Sequence, residues 1–189
     1  MALRNLLRRS GAGEGAGLLY AAAVAQARQP GFFLHCGVPD TVDGRFDMIS
    51  LHVHVVLRRL RQGGETAAET AQAVFDAMFA DMDRSLREMG VGDLGVGRRV
   101  KAMARAFYGR VAAYDAGLDG GAGALEDALK RNVFRAAEPV PGAPAILAAY
   151  MRRAARGLAN QPLDALLAGR VAFGPAPAAG DIVSGGEEP

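Results

Sequence analysis

No proline occurs between Pro39 and Pro139. Proline lacks a backbone donor and clashes inside a helix, so an interruption-free run of about a hundred residues leaves room for long helices. The run is rich in Ala, Leu, Met and Arg, all strong helix formers. Glycines at 63–64, 90–97 and 120–123 punctuate it. The aromatic share is only 6% and there is no Trp. Alanine carries much of the apolar count, which favours close helix packing over a sheet. The expected fold is all-α: a single domain of about six to seven helices.

Periodicity places the elements. The spacing predicts a helix over 17–29, stopped by Pro30-Gly31, then a long connection over 31–43. Residues 44–62 alternate like a strand at Ile49–Val55, yet Phe46, Ile49, Val53, Val56, Leu57 and Leu60 also share one helical face. Arg58, Arg59 and Arg61 before Gly63-Gly64 suit a helix C-terminus, so this segment reads as a helix. Apolar residues on its other face, Met48, Leu51 and Val55, make it the central, buried one. Further helices are expected at 65–89, 98–117, 124–135, 145–159 and from Pro162 to Leu167. The domain is expected over 17–170, with a flexible basic segment at 1–16 and a disordered Pro/Gly-rich tail at 171–189.

The chain has 189 residues and a formal charge of +2, too weak a bias to call for DNA. A single cysteine, Cys36, excludes an internal disulfide framework and fits a reducing compartment. No stretch reaches the ~20 apolar residues of a spanning helix. The first ten residues are basic and amphipathic. They are followed by glycines and not by an apolar export core, so they do not read as a secretory signal. Leu3, Leu6, Leu7 and the neighbouring arginines could touch an anionic membrane peripherally.

Candidate chemistry is thin. On a helix His52 and His54 point about 160° apart and cannot share a metal. His54 is expected on a polar face with Arg58 and Arg61, and His52 in the core. Gly90-Val-Gly-Asp-Leu-Gly95 matches a dinucleotide glycine pattern, but a helix precedes it where a strand is needed. It reads as a helix–helix turn. Asp76, Asp81 and Asp83 have arginines nearby and no paired His, and no serine or cysteine has a recognisable base. No catalytic, metal or cofactor site is therefore expected. Met78, Met82 and Met89 are suited either to the core or to an adaptable groove.

Two features read as binding surfaces. Arg98, Lys101 and Arg105 fall on one stripe, and no acidic residue occurs over 98–110. Arg99 and Arg110 are expected to flank the core face of the same helix. This is a docking ridge for an acidic partner, RNA or lipid headgroups, although Phe107 falls on the core face and Tyr108 only at its border. The other feature is the polar stretch Gly37-Val-Pro-Asp-Thr-Val-Asp-Gly-Arg-Phe-Asp-Met48. Pro39, Asp40, Thr41, Asp43, Gly44 and Arg45 are expected to form an ordered, partly exposed structure there. Thr41 or Asp43 should cap the next helix, and Arg45 should pair with Asp40 or Asp43.

Residues 37–48 resemble the signature of the ubiquinol–cytochrome c chaperone family. So do Phe79–Leu94, Val96–Met103 with Phe107–Arg110, and Leu125–Phe134, the likeness running from about residue 17 to 160. The resemblance implies a non-catalytic, all-helical assembly factor for ubiquinol–cytochrome c reductase. Its client would be cytochrome b or its precursor, with a small partner protein or the ribosome nearby. With no long presequence ahead of the domain, the chain resembles a bacterial member, expected in the cytoplasm at the inner membrane's cytoplasmic face. The reading of a different class is a ribosome- or RNA-binding adaptor using the basic helix over 98–110.

Overall fold

The computed structural model describes residues 2–121, 123–135 and 139–178, without the side chains of 2–11 and of Thr66. These residues form helices and no strand. In chain order they are α1 (Ala2–Ala27), α2 (Pro30–Leu34), α3 (Val42–Arg61), α4 (Glu65–Glu88), α5 (Asp93–Asp119), α6 (Ala124–Asn132), α7 (Ala143–Ala159) and α8 (Leu163–Leu167). Among them no helix is long and apolar enough to cross a membrane.

The alternation at 49–55 arises because α3 is buried all round. Thirteen of its twenty residues are buried, including Met48, Leu51, Val53, Val55 and Val56. Helices α1, α4, α5 and α7 all pack against it. A helix with neighbours on every side has no solvent face to enforce a 3.6-residue period. Its start is set by Thr41, whose Oγ1 accepts from the Gly44 amide at 3.1 Å. Its end is tied down by Arg59, which donates to the carbonyls of Leu158 and Gln161, both at 2.9 Å.

Several boundaries differ from the sequence expectation. Helix α1 starts at Ala2, and Ala16 is already in the core, so the fold does not begin at residue 17. The proposed membrane contact through Leu3, Leu6 and Leu7 lies outside the described side chains. Pro30 opens a single-turn helix within what reads as a connection, because proline fits the first helical position. It buries Phe32. Helix α5 begins at Asp93, so Gly95 and Gly97 are helical and only Met89–Gly92 turns the chain.

The C-terminal segment is the largest correction. Residues 171–178 are not a loose tail. Phe173 is buried, and its ring stands edge-on to His52 with centroids 5.3 Å apart. Gln26 donates to the Gly174 carbonyl at 3.0 Å. One aromatic inside a Pro/Gly/Ala-rich stretch is too weak a periodic signal to predict docking. Residues 179–189 lie outside the described residues.

His52 is the hub of that packing. Its Nδ1–H donates to the Met48 carbonyl at 2.8 Å, leaving Nε2 to accept from the Tyr150 hydroxyl at 2.8 Å. Tyr150 in turn accepts from Gln26 at 3.1 Å. Phe32 stands edge-on to both rings. One imidazole thus joins α1, α2, α3, α7 and the C-terminal segment. Burial lowers its pKa from the usual 6.5 to about 4, so the ring is neutral.

Candidate partner-binding site

The 37–48 segment folds back on its own helix. Arg45 holds Asp40 in a two-pronged pair, Nε to Oδ1 at 2.6 Å and Nη2 to Oδ2 at 3.2 Å. Both side chains are more than half exposed. Arg45 is the largest cause of the lowered Asp40 pKa. The Thr41 amide donates to the Pro39 carbonyl at 2.9 Å. Gly44 is required in this tight return: a Cβ there would overlap the Pro39 carbonyl oxygen. Of the two capping candidates Thr41 serves. Asp43 is exposed and stands 3.8 Å from Arg135.

This segment borders an open groove at one end of the bundle. Val42, Phe46 and Ile49 of α3 form one wall. Met82, Leu86 and Met89 form another, and Met103 of α5 contributes from the side. Arg28 and Arg45 stand at its rim with Asp81. Val42 is 64% exposed and Met89 53%, well above what a folded core leaves open. Leu94, 90% exposed, lies just past the same turn. The three candidate methionines therefore divide: Met78 is fully buried, whereas Met82 and Met89 line the groove.

On α5, Arg98, Lys101 and Arg105 are all exposed. Their angular positions place them on the side of α5 opposite Met103 and Phe107. Tyr108 is 60% exposed and stands seven residues after Lys101, so an aromatic does accompany the stripe.

Arg110 does not belong with these cations. It is 5% exposed and pairs with Asp47 of α3, which is 1% exposed. Arg135, beyond α6, also donates to Asp47, at 2.6 Å. Burial pushes the Asp47 carboxyl up from its usual value, against the pull of the two guanidiniums. His54 is also not on a solvated face. It is buried, and its Nε2 lies 2.9 Å from Asp115 Oδ1. Asp115 further accepts from Arg58 at 2.9 Å and from Arg61 at 2.8 Å. His54, then Arg58 and Arg61, hold its carboxyl well below the usual range. His54 and Asp47 are buried against α5, whereas Arg58 and Arg61 reach Asp115 from the partly exposed end of the same stripe. The matching stripe on α5, Arg110, Tyr114 and Asp115, is the signal that could have revealed this.

Other candidates resolve into structural roles. Asp81 accepts from Tyr20 at 2.7 Å and pairs with Arg84. Asp83 and Arg87 form the expected i,i+4 pair at 2.7 Å, and Gln72 donates to Asp76 at 2.8 Å. Cys36 is buried. His52 and His54 address different neighbours, as their two-residue separation requires.

A family model described as ubiquinol-cytochrome C chaperone matches residues 34–173. The chain belongs to this family. The matched region holds the 37–48 segment, the α5 stripe and the groove apart from Arg28 at its rim. Ubiquinol-cytochrome c reductase complex assembly factor 1 of Mus musculus is 29% identical over 158 residues, 83% of this chain and 54% of the mouse protein. The chain thus spans about half the length of that relative. The Xenopus laevis assembly factor of the same name is 27% identical, over 83% of this chain and 79% of its own. The crystal structure of the Cbp3 homolog from Brucella abortus matches at 40% identity with a TM-score of 0.80, covering 93% of this chain and 98% of that one. The all-helical architecture is therefore the ubiquinol-cytochrome C chaperone fold.

Proposed function

We propose that this protein is a non-catalytic chaperone that assists assembly of ubiquinol–cytochrome c reductase by binding cytochrome b or its precursor. The observation that carries this reading is the open groove bounded by Val42, Phe46, Met82, Met89 and Met103. A client with membrane-spanning segments offers apolar surface of variable shape. Unbranched methionines repack around such surface more readily than branched side chains. Family membership supplies the context, and assembly of the reductase is what the named relatives are described by.

Pro39, Asp40, Thr41, Asp43, Gly44 and Arg45, of which Arg45 stands at the groove, contact the client or a small partner protein. Arg98, Lys101 and Arg105 dock an acidic surface on a partner, the ribosome or the membrane. The protein works in the cytoplasm, at the cytoplasmic face of the inner membrane.

The test is Met89→Asp with Val42→Asp, two exposed positions whose change leaves the core intact. Tagged protein should lose cytochrome b from its co-purifying set while its melting temperature holds. In a deletion strain, cytochrome b should fall first and other respiratory complexes should be spared. Normal cytochrome b spectra in that strain would overturn the reading. The exposed Tyr108 beside the cationic stripe favours one second reading, an RNA- or ribosome-binding adaptor. RNA binding that falls steeply with added salt would support it.

A further inference from the structure

Among the described residues, the buried side-chain atoms without a hydrogen-bond partner are Ser50 Oγ, His54 Nδ1, Arg110 Nε and Tyr114 OH. They are not scattered. Ser50 and His54 are one turn apart on α3, and Arg110 and Tyr114 are one turn apart on α5. The two pairs face each other. The His54 ring stands edge-on to Tyr114 with centroids 5.5 Å apart. Asp47, one turn before Ser50, holds Arg110. Asp115, next to Tyr114, holds His54. Ser50 therefore lies on the α3 face between these two fastenings.

Their chemistry selects the ligand. Because Asp115 accepts at Nε2, the neutral His54 ring carries its proton there and presents Nδ1 as a bare acceptor. Burial lowers the pKa of this imidazole, which agrees with the neutral form. Arg110 Nε–H can only donate, while the Tyr114 and Ser50 hydroxyls do both. None of the four bonds another directly. An anion would be repelled by the His54 lone pair and by Asp47 and Asp115. A cation would be repelled by Arg110, and an apolar group would satisfy nothing. A small neutral molecule that donates and accepts at once fits every member, and buried waters usually make about three hydrogen bonds of this kind.

We propose that the α3–α5 seam is a built water site, in which one or more internal waters bridge Ser50, His54, Arg110 and Tyr114. Water accepts from Arg110 Nε–H and donates to His54 Nδ1, and the two hydroxyls complete its bonds. The seam's remaining fastenings are ionic, from Asp47–Arg110 to Arg58 and Arg61 on Asp115. Helix α5 is thus joined to the central helix through charge and solvent as well as through the apolar side chains, Phe107 among them, that it adds to the shared core.

A high-resolution crystal structure of the full chain should show ordered water within hydrogen-bond distance of at least two of the four atoms. A dry seam would overturn the proposal. Melting of Tyr114→Phe, Ser50→Ala and the double variant gives a second measure. With a shared water, Tyr114→Phe lowers the melting temperature and the double variant loses less than the sum of the two. If the hydroxyl is simply unpaired, Tyr114→Phe raises the melting temperature, and that result, or strict additivity, also overturns the proposal. Should either variant fail to fold, the crystal of the unaltered chain still decides.

Discussion

Asp47 on α3 and Arg110 on α5 pair inside the protein, joining the next-to-last residue of the 37–48 segment to the last residue of the acid-free stretch over 98–110. The relationship converts a residue of the surface-lip sequence into a core fastening. Removing one partner of a buried pair leaves an uncompensated charge, which typically costs about 3–5 kcal/mol. Asp47→Ala strands Arg110 and should reach that range. Arg110→Met should cost less, because Arg135 still reaches Asp47 at 2.6 Å. Urea denaturation of both variants checks the order, and equal losses would mean that Arg135 contributes nothing.

Gly44→Ala should destabilise the protein although Gly44 lies in the first turn of a helix. In an open helix this change gains up to about 1 kcal/mol from propensity. Here the new Cβ overlaps the Pro39 carbonyl oxygen, and backbone cannot yield as a flexible side chain would. A loss of roughly 1–3 kcal/mol is expected. A raised melting temperature would show that the 37–41 return is not held as described.

Stability should fall as the pH drops from about 6.5 toward 4. His52 contributes because its folded pKa of about 4 lies below the ordinary 6.5, and buried His54, also lowered, acts in the same direction. In that window the unfolded chain binds a proton that the folded chain refuses, so stability rises with pH. At about 1.4 kcal/mol per unit, the His52 contribution is on the order of 3 kcal/mol. The lowered carboxyl of Asp115 acts in the same direction at more acid pH. Denaturation curves of His52→Gln should be flatter between these pH values. An unchanged slope would assign the effect elsewhere.

Phe173→Ala, or truncation after Arg170, should lower the melting temperature markedly. Phe173 is buried against His52, and loss of a core Phe side chain costs about 3–5 kcal/mol. A melting temperature equal to that of the unaltered chain would return residues 171–178 to the status of a tail.

Reversing Arg98, Lys101 and Arg105 to Glu should leave melting nearly unchanged, since all three are exposed and make no ion pair among the described residues. Their loss should slow association with an acidic partner, mainly through the on-rate. Loss of folding without loss of binding would show that these side chains pack structurally.

The all-helical class, the central place of α3, the Thr41 cap and the Arg45–Asp40 pair were legible in the sequence. Each rests on local rules: proline exclusion, 3.6-residue spacing and reach over three to five residues. The groove was legible only as a list of methionines, because sequence does not say which of Met78, Met82 and Met89 meets a neighbour. The roles of Asp47, His54 and Arg110 required the tertiary structure. A polar stripe on a helix looks the same whether it faces water or a complementary stripe, and Arg110 meets Asp47 across 63 residues of chain. The docking of Phe173 was likewise decided in three dimensions, since a single aromatic has no period to read. Local chemistry determined where the helices lie, and only their packing decided which charges are core and which remain exposed.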